Sequence, residues 1–186
     1  LSHRMSAFER LRIYADLQKA PPVKFKDLEA AVESTIKYNL LPMEARADFI
    51  RMTNSTVLSN ITLQFDRKDL QFEDNDGVSK AIINIYGRIT SMSRRVVNVF
   101  EDVVTSEAPT ALLAEVAKGS SIYQKSVPLA PGVYRLNVVA KDVVSDNMNN
   151  YEMALRVPAY EDEELGMSSI ILADLIEKVP TRSIGA

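Results

Sequence analysis

Acidic residues in two short stretches come closest, by type and spacing, to a site that could do chemistry. In the first, Glu73-Asp74-Asn75-Asp76-Gly77, carboxylate and amide oxygens alternate before a glycine, which is the pattern of a calcium-binding loop. Such a loop also needs a bidentate glutamate at its twelfth position, and counting from Asp74 that position is Ile85. A plain hairpin turn is therefore the favoured interpretation, and Asp74 and Asp76 are weak candidates for metal ligands.

A second oxygen-rich stretch contains Asp142, Asp146, Asn147 and Asn149. Calcium takes carboxylate and amide oxygens as ligands, so Asp142 and Asp146 are a second pair of weak metal candidates. A solvated turn explains the same residues more simply, because Asp and Asn are common wherever a chain reverses. We therefore predict no metal site and no cofactor, and we keep a calcium-binding module as an alternative.

Catalysis by other side chains is not expected. The sequence has a single histidine, His3, and no cysteine, so it lacks the parts of a nucleophile–histidine pair or of a thiolate zinc site. Carboxylates alone would have to do the chemistry, and a glycosidase needs two of them facing one groove, which the sequence does not specify. The prediction is a protein that is not an enzyme and has no catalytic residue.

The composition disfavours two classes of ligand. The 186 residues carry a net charge of −3, so they lack the basic surface with which proteins neutralise nucleic-acid phosphates. There is no tryptophan, and aromatic residues make up only 7% of the chain, which disfavours a carbohydrate-binding module without removing it as an alternative. No apolar run approaches the length of about 20 residues that a membrane-spanning helix needs.

The first part of the chain is predicted to be helical over residues 6–19. Ser6 and Glu9 have the spacing of a capping box, and the apolar residues here share one face at helical period: Met5, Ala7, Phe8, Leu11, Tyr14 and Ala15. Ala20-Pro21-Pro22 ends this helix because proline has no amide hydrogen, and Lys26 to Val32 adds a short helical turn. We assign residues 1–32 to a helical lead-in or linker.

The rest of the chain, residues 33–186, is predicted to form a β-sandwich domain with an irregular C-terminal tail. Apolar and polar residues alternate as they do in strands, and the predicted strands span 35–40, 46–52, 57–65, 80–89, 96–101, 122–129, 134–140 and 151–157, with a short helix at 110–118. This pattern predicts a mainly β fold, an immunoglobulin-like antiparallel sandwich with an N-terminal helix and a short helix between strands.

Three local features refine the predicted fold. Both faces of the strands at 80–89 and 96–101 are apolar, so both strands are expected to be central and covered. The stretch Leu129-x-Pro131-Gly132-x-Tyr134 resembles the start of a sandwich strand whose tyrosine packs at a corner. Near the C-terminus, a last strand at 169–173 is favoured over a helix at 172–179.

Two sets of opposite charges are predicted to form cross-strand ion pairs. Arg46 lies close to Asp48, and Arg94-Arg95 lies close to Glu101-Asp102. Such pairs stabilise a sheet by about 0.2–1 kcal/mol each, so the default role of these residues is structural.

Several segments occur in an order found in one protein family. They are Tyr14-Ala15-Asp16-Leu17-Gln18-Lys19-Ala20-Pro21-Pro22-Val23-Lys24-Phe25-Lys26-Asp27-Leu28, Leu40-Leu41-Pro42, Asp48-Phe49-Ile50-Arg51, Ile85-Tyr86-Gly87-Arg88, Phe100-Glu101-Asp102, Lys141-Asp142-Val143 and Ser168-Ser169-Ile170-Ile171-Leu172-Ala173-Asp174. This order resembles the C-terminal region of GWxTD domain-containing proteins, notably those of Acidobacteria. The Gly-Trp-x-Thr-Asp motif that names the family is absent.

The resemblance implies that this chain is a part of a larger exported bacterial protein, periplasmic or extracellular, and lies beyond the conserved domain. The first residue, Leu1, and the ending Ser183-Ile184-Gly185-Ala186 also lead us to expect a fragment. No catalytic residue is transferred by the likeness. We therefore predict a non-catalytic protein-interaction or structural module that binds a protein partner or the upstream domain of its own chain, for example by adding a strand at an open sheet edge.

Overall fold

A computed structural model describes residues 23–34, 36–160 and 166–171. The predicted helix at 6–19 lies outside the described residues, and so do positions 172–179, where the sequence allowed either a strand or a helix.

The described residues form a mainly β structure. One helix, α1 (Lys26–Glu33), precedes all the strands, and a second, α2 (Leu113–Val116), lies between two of them. The strands are β1 (Glu44–Arg51), β2 (Val57–Asp66), β3 (Glu73–Asn75), β4 (Val78–Ser91), β5 (Val96–Pro109), β6 (Ser120–Leu129), β7 (Gly132–Asp142) and β8 (Met148–Val157). Short 3-10 turns at Arg67–Asp69 and Thr110–Leu112 complete the order.

These strands make two antiparallel sheets, which confirms the predicted fold class. The smaller sheet has the order β1-β2-β6. In the larger sheet β4 is the centre: β5 pairs with one side of it, whereas β7 and the short β3 pair with the other, and β8 follows β7. The two sheets curl into a half-barrel around one apolar core.

Period-two alternation explains why the core lies between the sheets. In β2 every second side chain is buried, among them Ile61, Leu63 and Phe65, and in β4 Ile83, Ile85 and Ile89 point to the same core. Burying a side chain of this size contributes about 1.5–3 kcal/mol, so the pattern fixes which face of each strand is inside. Other members of the core come from the remaining strands, such as Val127, Leu136, Val138 and Leu155.

The helix α1 covers part of the outer face of the larger sheet. Leu28, Ala31 and Val32 are buried against Tyr86 of β4 and Val139 of β7. The predicted short helix at 26–32 is confirmed, and so is the prediction that β4 is covered on both faces.

The prediction for β5 was wrong in one respect. Among the described strands it pairs with β4 alone, so it is an edge strand and not a central one. Its outer apolar residues are part-exposed, including Val97, Val99 and Val103, because α1 packs on β4 and β7 and does not extend across β5.

The predicted strand at 35–40 was also wrong for its described part. Residues 36–40 form only an isolated bridge, between Asn39 and Asn149 of β8. Tyr38 packs against the cluster that α1 forms with the larger sheet, but Ile36 and Leu40 are exposed, so this segment buries too little apolar surface to stabilise a strand. The short helix predicted at 110–118 is present, but its described residues contribute nothing to the core.

Side-chain hydrogen bonds fix the chain at the start of β7 and along the outer edge of β1. The Tyr134 hydroxyl donates a hydrogen bond to the Ala130 carbonyl oxygen at 3.0 Å, which is the tyrosine-corner contact that the sequence predicted. At β1, residues 168 and 169 lie along the strand without forming a ladder: the Ser169 and Ser168 hydroxyls accept the amide hydrogens of Phe49 and Arg51. The described part of the predicted last strand, 169–171, is therefore an irregular strap on the β1 edge.

Candidate functional site

The first pair of predicted metal candidates lies in a hairpin turn between β3 and β4. Asp76 and Gly77 have φ angles of 52° and 83°, as a two-residue turn with positive φ at both positions requires. One carboxylate oxygen of Asp74, Oδ1, accepts hydrogen bonds from the Gly77 amide and from the Thr110 hydroxyl, both at 3.0 Å. The favoured interpretation of this stretch, a hairpin turn, is what the structure has.

The second pair of metal candidates, Asp142 and Asp146, has two different roles: Asp142 accepts buried hydrogen bonds, and Asp146 forms a surface ion pair. Asp142 is fully buried, and its two oxygens accept the amide hydrogens of Gln71 at 2.8 Å and Val144 at 3.0 Å. Asp146 instead binds the Lys141 ammonium at 2.9 Å. The hydrogen bond from Asp146 raises the pKa of Lys141, and a further one from Asp27 acts in the same direction.

Each of the four aspartates thus has a separate local role: Asp74 and Asp76 in a hairpin turn, Asp142 in buried hydrogen bonds and Asp146 in a surface ion pair. Within residues 23–34, 36–160 and 166–171, no three His, Cys, Asp or Glu side chains come together in a way that could hold a metal ion.

The predicted ion pairs are formed only in part. Arg46 and Asp48 do pair, at 2.8 Å, but both lie on β1, so the pair is within one strand and not across two. Glu101 and Asp102 have other partners than Arg94 and Arg95: Asp102 binds Lys125 at 3.1 Å, and Glu101 accepts backbone amides before α1. Sequence proximity was misleading here, because Glu101 and Asp102 lie well along β5, where they face α1 and β6.

A seam of side chains closes the gap between β5 and β6. The Tyr123 hydroxyl donates to Asp102 at 2.6 Å, the rings of Phe100 and Tyr123 stack at 6.4 Å, and the hydroxyls of Ser106 and Ser121 are 2.6 Å apart. Burial, and then the bond to Asp102, raise the pKa of the Tyr123 phenol far above its usual value. The two sheets meet here by side chains only.

A large concave surface lies on the outer face of the larger sheet, between α1 and β5. We call it the valine groove; it measures 740 Å³ and is lined by Val23, Glu29, Glu33, Tyr86, Arg88 and residues 96–101. Val97 and Val99 form its β5 side, and Val103 continues the apolar stripe along the same strand. The groove is therefore apolar along one wall and acidic along the other.

A carboxylate of β5 holds α1 in place and so shapes the valine groove. The two oxygens of Glu101 accept the amide hydrogens of Lys24 at 2.8 Å and Phe25 at 2.7 Å. Because helix starts have unpaired amide hydrogens and a partial positive charge, this carboxylate stabilises the beginning of α1, which has no cap from its own side chains.

The floor of the groove is polar but largely compensated. Arg88 binds Glu33 at 3.0 Å, while its Nε is buried without a hydrogen-bond partner in the described part of the chain. Burial, with the Glu29 charge as a further contribution, raises the pKa of the Tyr86 phenol. The groove thus presents valine methyls and acidic groups. The Nε hydrogen of the Arg88 guanidinium lies buried in its floor without an acceptor in the described part of the chain.

Sequence reasoning did not find the valine groove, although its signal was present. The apolar residues on both faces of 96–101 were recognised, and they were interpreted as a sign of burial in the sheet. The same signal also fits an edge strand whose outer face binds something, and the sequence alone does not distinguish the two.

A smaller polar cavity of 320 Å³ lies at the end of the sandwich near Asn39, Glu44, Asp66 and Asp69. Asp66 binds Lys68 at 3.1 Å and Ser120 at 3.1 Å, and the Lys68 hydrogen bond is the main reason that the pKa of Asp66 is lowered.

Within the described ranges, no helix has the length and apolar character to cross a membrane.

Comparison with known proteins gives no family for this chain. No protein-family model matches it, and no curated protein does. Among solved structures, the crystal structure of the "Putative ApaA Protein" from Bordetella pertussis is similar at 10% identity and a TM-score of 0.41, over 67% of this chain and 99% of that one. An X-ray structure of the structural-genomics target SoR45 is similar at 12% identity and a TM-score of 0.40, over 71% and 98%. Likenesses at this level assign no function.

Proposed function

We propose that this chain is a non-catalytic protein-interaction and structural module of a larger exported bacterial protein, and that its valine groove docks an apolar polypeptide helix. The observation that carries the proposal is the pair of part-exposed valines, Val97 and Val99, on the outer face of an edge strand, in the groove beside α1. Clustered apolar side chains at a surface mark interaction sites far more often than single ones do.

The shape of the valine groove favours a helix as the occupant. Amphipathic helices bind by laying an apolar face into an apolar groove, and here α1 and β5 form the two walls. The β5 edge itself is partly engaged by the seam to β6 through Asp102 and Ser106. Docking on the outer face is therefore favoured over the strand addition that the sequence suggested.

The chemistry of the groove disfavours other ligands. The groove is lined by Glu29, Glu33 and Glu101, and its basic lining residue Arg88 is paired with Glu33, so it offers little to attract a phosphate. Its aromatic rings, Tyr86 and Phe100, are buried, so they present no exposed face on which a sugar could stack. The calcium alternative gains no support from Asp74 or Asp142, because Asp74 Oδ1 and both oxygens of Asp142 accept hydrogen bonds from the chain itself.

The export of the parent protein, and a location in the periplasm or outside the cell, are proposed on the resemblance to the GWxTD domain-containing proteins alone.

A matched pair of substitutions tests the proposal. Val99 and Val78 are valines of similar exposure, 41% and 45%, on strands of the same sheet, and Val78 is outside the valine groove. We expect Val99→Glu to lower the free energy of unfolding clearly more than Val78→Glu, because a docked helix would bury the new carboxylate, whereas surface substitutions stay within about 0.5 kcal/mol.

Both variants are to be measured by chemical denaturation, in this chain and in the longer parent protein. Equal effects of the two substitutions in both proteins would overturn the proposal, since nothing would then cover the groove.

A further inference from the structure

We infer that a second copy of this chain binds along the outer edge of β8, with the two β8 strands antiparallel and Ala154 of one copy opposite Ala154 of the other. In this arrangement Glu152 of each copy lies opposite Arg156 of the other. The inference concerns a different part of the larger sheet from the valine groove, and it does not depend on an occupant of that groove.

Every second residue of β8 turns its backbone groups away from β7. In the turn that joins these strands, the Asp142 amide donates to the Asn147 carbonyl oxygen at 2.9 Å, so the ladder to β7 uses the odd-numbered residues of β8. The amide and carbonyl groups of the even-numbered residues therefore point to the outer edge. Three of these residues, Glu152, Ala154 and Arg156, have no backbone partner there in the described part of the chain.

This open run has a definite end on each side. Towards the start of β8, the Asn150 amide donates to the Tyr38 carbonyl oxygen at 3.0 Å, so the edge is already occupied. Towards the other end, Pro158 has no amide hydrogen, and Tyr160 returns to the core. In a pairing centred on Ala154, residue 150 of one copy lies opposite residue 158 of the other. The occupied position thus faces the residue that cannot donate.

The other described sheet edges are less available to a second strand. Proteins normally protect edge strands, because their unpaired backbone groups can pair with another chain. Here the β1 edge is bonded to Ser168 and Ser169, β5 and β6 face each other across their seam, and β3 has only three residues. The open run of β8 is the exception among the described edges, which favours it as an interaction site.

The side chains on the outer face of the open run have a charge pattern that is complementary to itself. Glu152, Ala154 and Arg156 are all exposed. Antiparallel pairing centred on Ala154 places a Glu–Arg pair on either side of two small alanines, with opposite Cβ atoms about 5 Å apart. Arg156 has no ion-pair partner in the described part of the chain, whereas Glu152 lies 3.5 Å from Arg135 of β7. This self-complementarity is the argument for a second copy over an unrelated strand.

Two charge reversals test the pairing by sedimentation of the full chain over a range of concentrations. We expect the wild type to form a dimer with a dissociation constant below about 1 mM, since a strand edge is a small interface. Arg156→Glu and Glu152→Arg each place like charges opposite each other, so each should weaken the dimer about ten-fold or more. An equimolar mixture of the two variants should restore the dimer, because every arginine then faces a glutamate.

Lys118→Glu is the matched control, because it reverses one charge at an exposed pair with Glu115, away from β8. It should leave the dimer unchanged, and thermal unfolding shows that each variant is folded. A wild type that stays monomeric at every concentration would overturn the inference. A dimer that Arg156→Glu leaves intact would place the contact elsewhere, and two folded variants that do not associate when mixed would contradict the antiparallel pairing.

Amide hydrogen exchange of the unmodified chain, followed by NMR, gives a second measurement. The amides of Glu152, Ala154 and Arg156 should exchange more slowly as the protein concentration rises. The Met153 amide, which faces β7, should be protected at all concentrations and serves as the reference. Slow exchange of the three edge amides even at the lowest concentration would show that the chain covers its own edge. Fast exchange of these amides at every concentration would show that nothing binds there, and either result would overturn the inference.

Discussion

The ring of Phe100 lies directly against the backbone of Gly87, its cross-strand neighbour on β4. A methyl group on residue 87 would come within 2.0 Å of the ring atom Cζ. The inner face of β5 is thus filled by an aromatic side chain that only a glycine partner admits, and this leaves β5 with one buried face and one face of part-exposed valines.

Gly87→Ala is therefore expected to destabilise the fold by about 1–3 kcal/mol, the usual effect of overpacking a core. Gly119→Ala is the matched control, because its new methyl would meet the movable end of Arg67 at 3.2 Å and the Val116 carbonyl oxygen at an ordinary contact distance of 3.6 Å. Chemical denaturation measures both. Adding Phe100→Leu to Gly87→Ala should recover part of the lost stability, and equal effects of the two glycine substitutions would contradict the close contact.

Tyr123 is expected to make stability depend on alkaline pH. Its pKa is raised in the folded protein, so the neutral phenol stabilises the fold below the unfolded pKa of about 10, and this contribution is lost as the pH rises from there toward the folded pKa. The free energy of unfolding should fall less steeply between pH 9 and 11 in Tyr123→Phe than in the wild type. Parallel curves would show that the phenol does not titrate differently in the two states.

Asp142 is expected to be structural, whereas Asp146 contributes little. Asp142→Asn keeps one acceptor oxygen but points its carboxamide NH2 group at a backbone N–H, so one buried donor loses its acceptor. We expect the free energy of unfolding to fall by about 1–3 kcal/mol. Asp146→Asn breaks a surface pair worth about 0–1 kcal/mol. Thermal unfolding measures both variants. If millimolar calcium raised the melting temperature of the wild type but not that of Asp142→Asn, the metal-site interpretation would be restored.

Glu101 is expected to control the start of α1. Glu101→Gln should accelerate hydrogen exchange of the Lys24 and Phe25 amides and cost about 1 kcal/mol, as loss of a helix cap does. Glu107→Gln is the control on the same strand, because Glu107 is engaged only in a surface pair with Lys80 at 2.7 Å. If the two variants exchange alike, the carboxylate does not hold the helix.

The strands were predictable because alternation reports directly on which side chains are buried. In β2, β4 and β7 the predicted inward residues, such as Ile61, Ile85 and Leu136, are buried. Alternation does not report which strands are neighbours. It therefore could not show that β5 lies at an edge. It also suggested a strand at 35–40, where Ile36 and Leu40 are exposed in the structure.

The candidate site was less predictable because it depends on contacts between distant parts of the chain. The valine groove exists because Glu101 binds the Phe25 amide 76 residues away. Asp142 resembles a metal ligand of a loop in sequence, but in the structure its carboxylate accepts a hydrogen bond from the Gln71 amide, 71 residues away. No local pattern specifies either contact.

The central claim, that a polypeptide covers the valine groove, is tested most directly by carbene footprinting of the parent protein. Val99 lines the groove, whereas Val78 lies at the far end of β4 outside it, and their exposures are similar, 41% and 45%, so they serve as probe and reference in one experiment. We predict that Val99 is labelled much less than Val78, together with Val97. Equal labelling of Val99 and Val78 would contradict this claim.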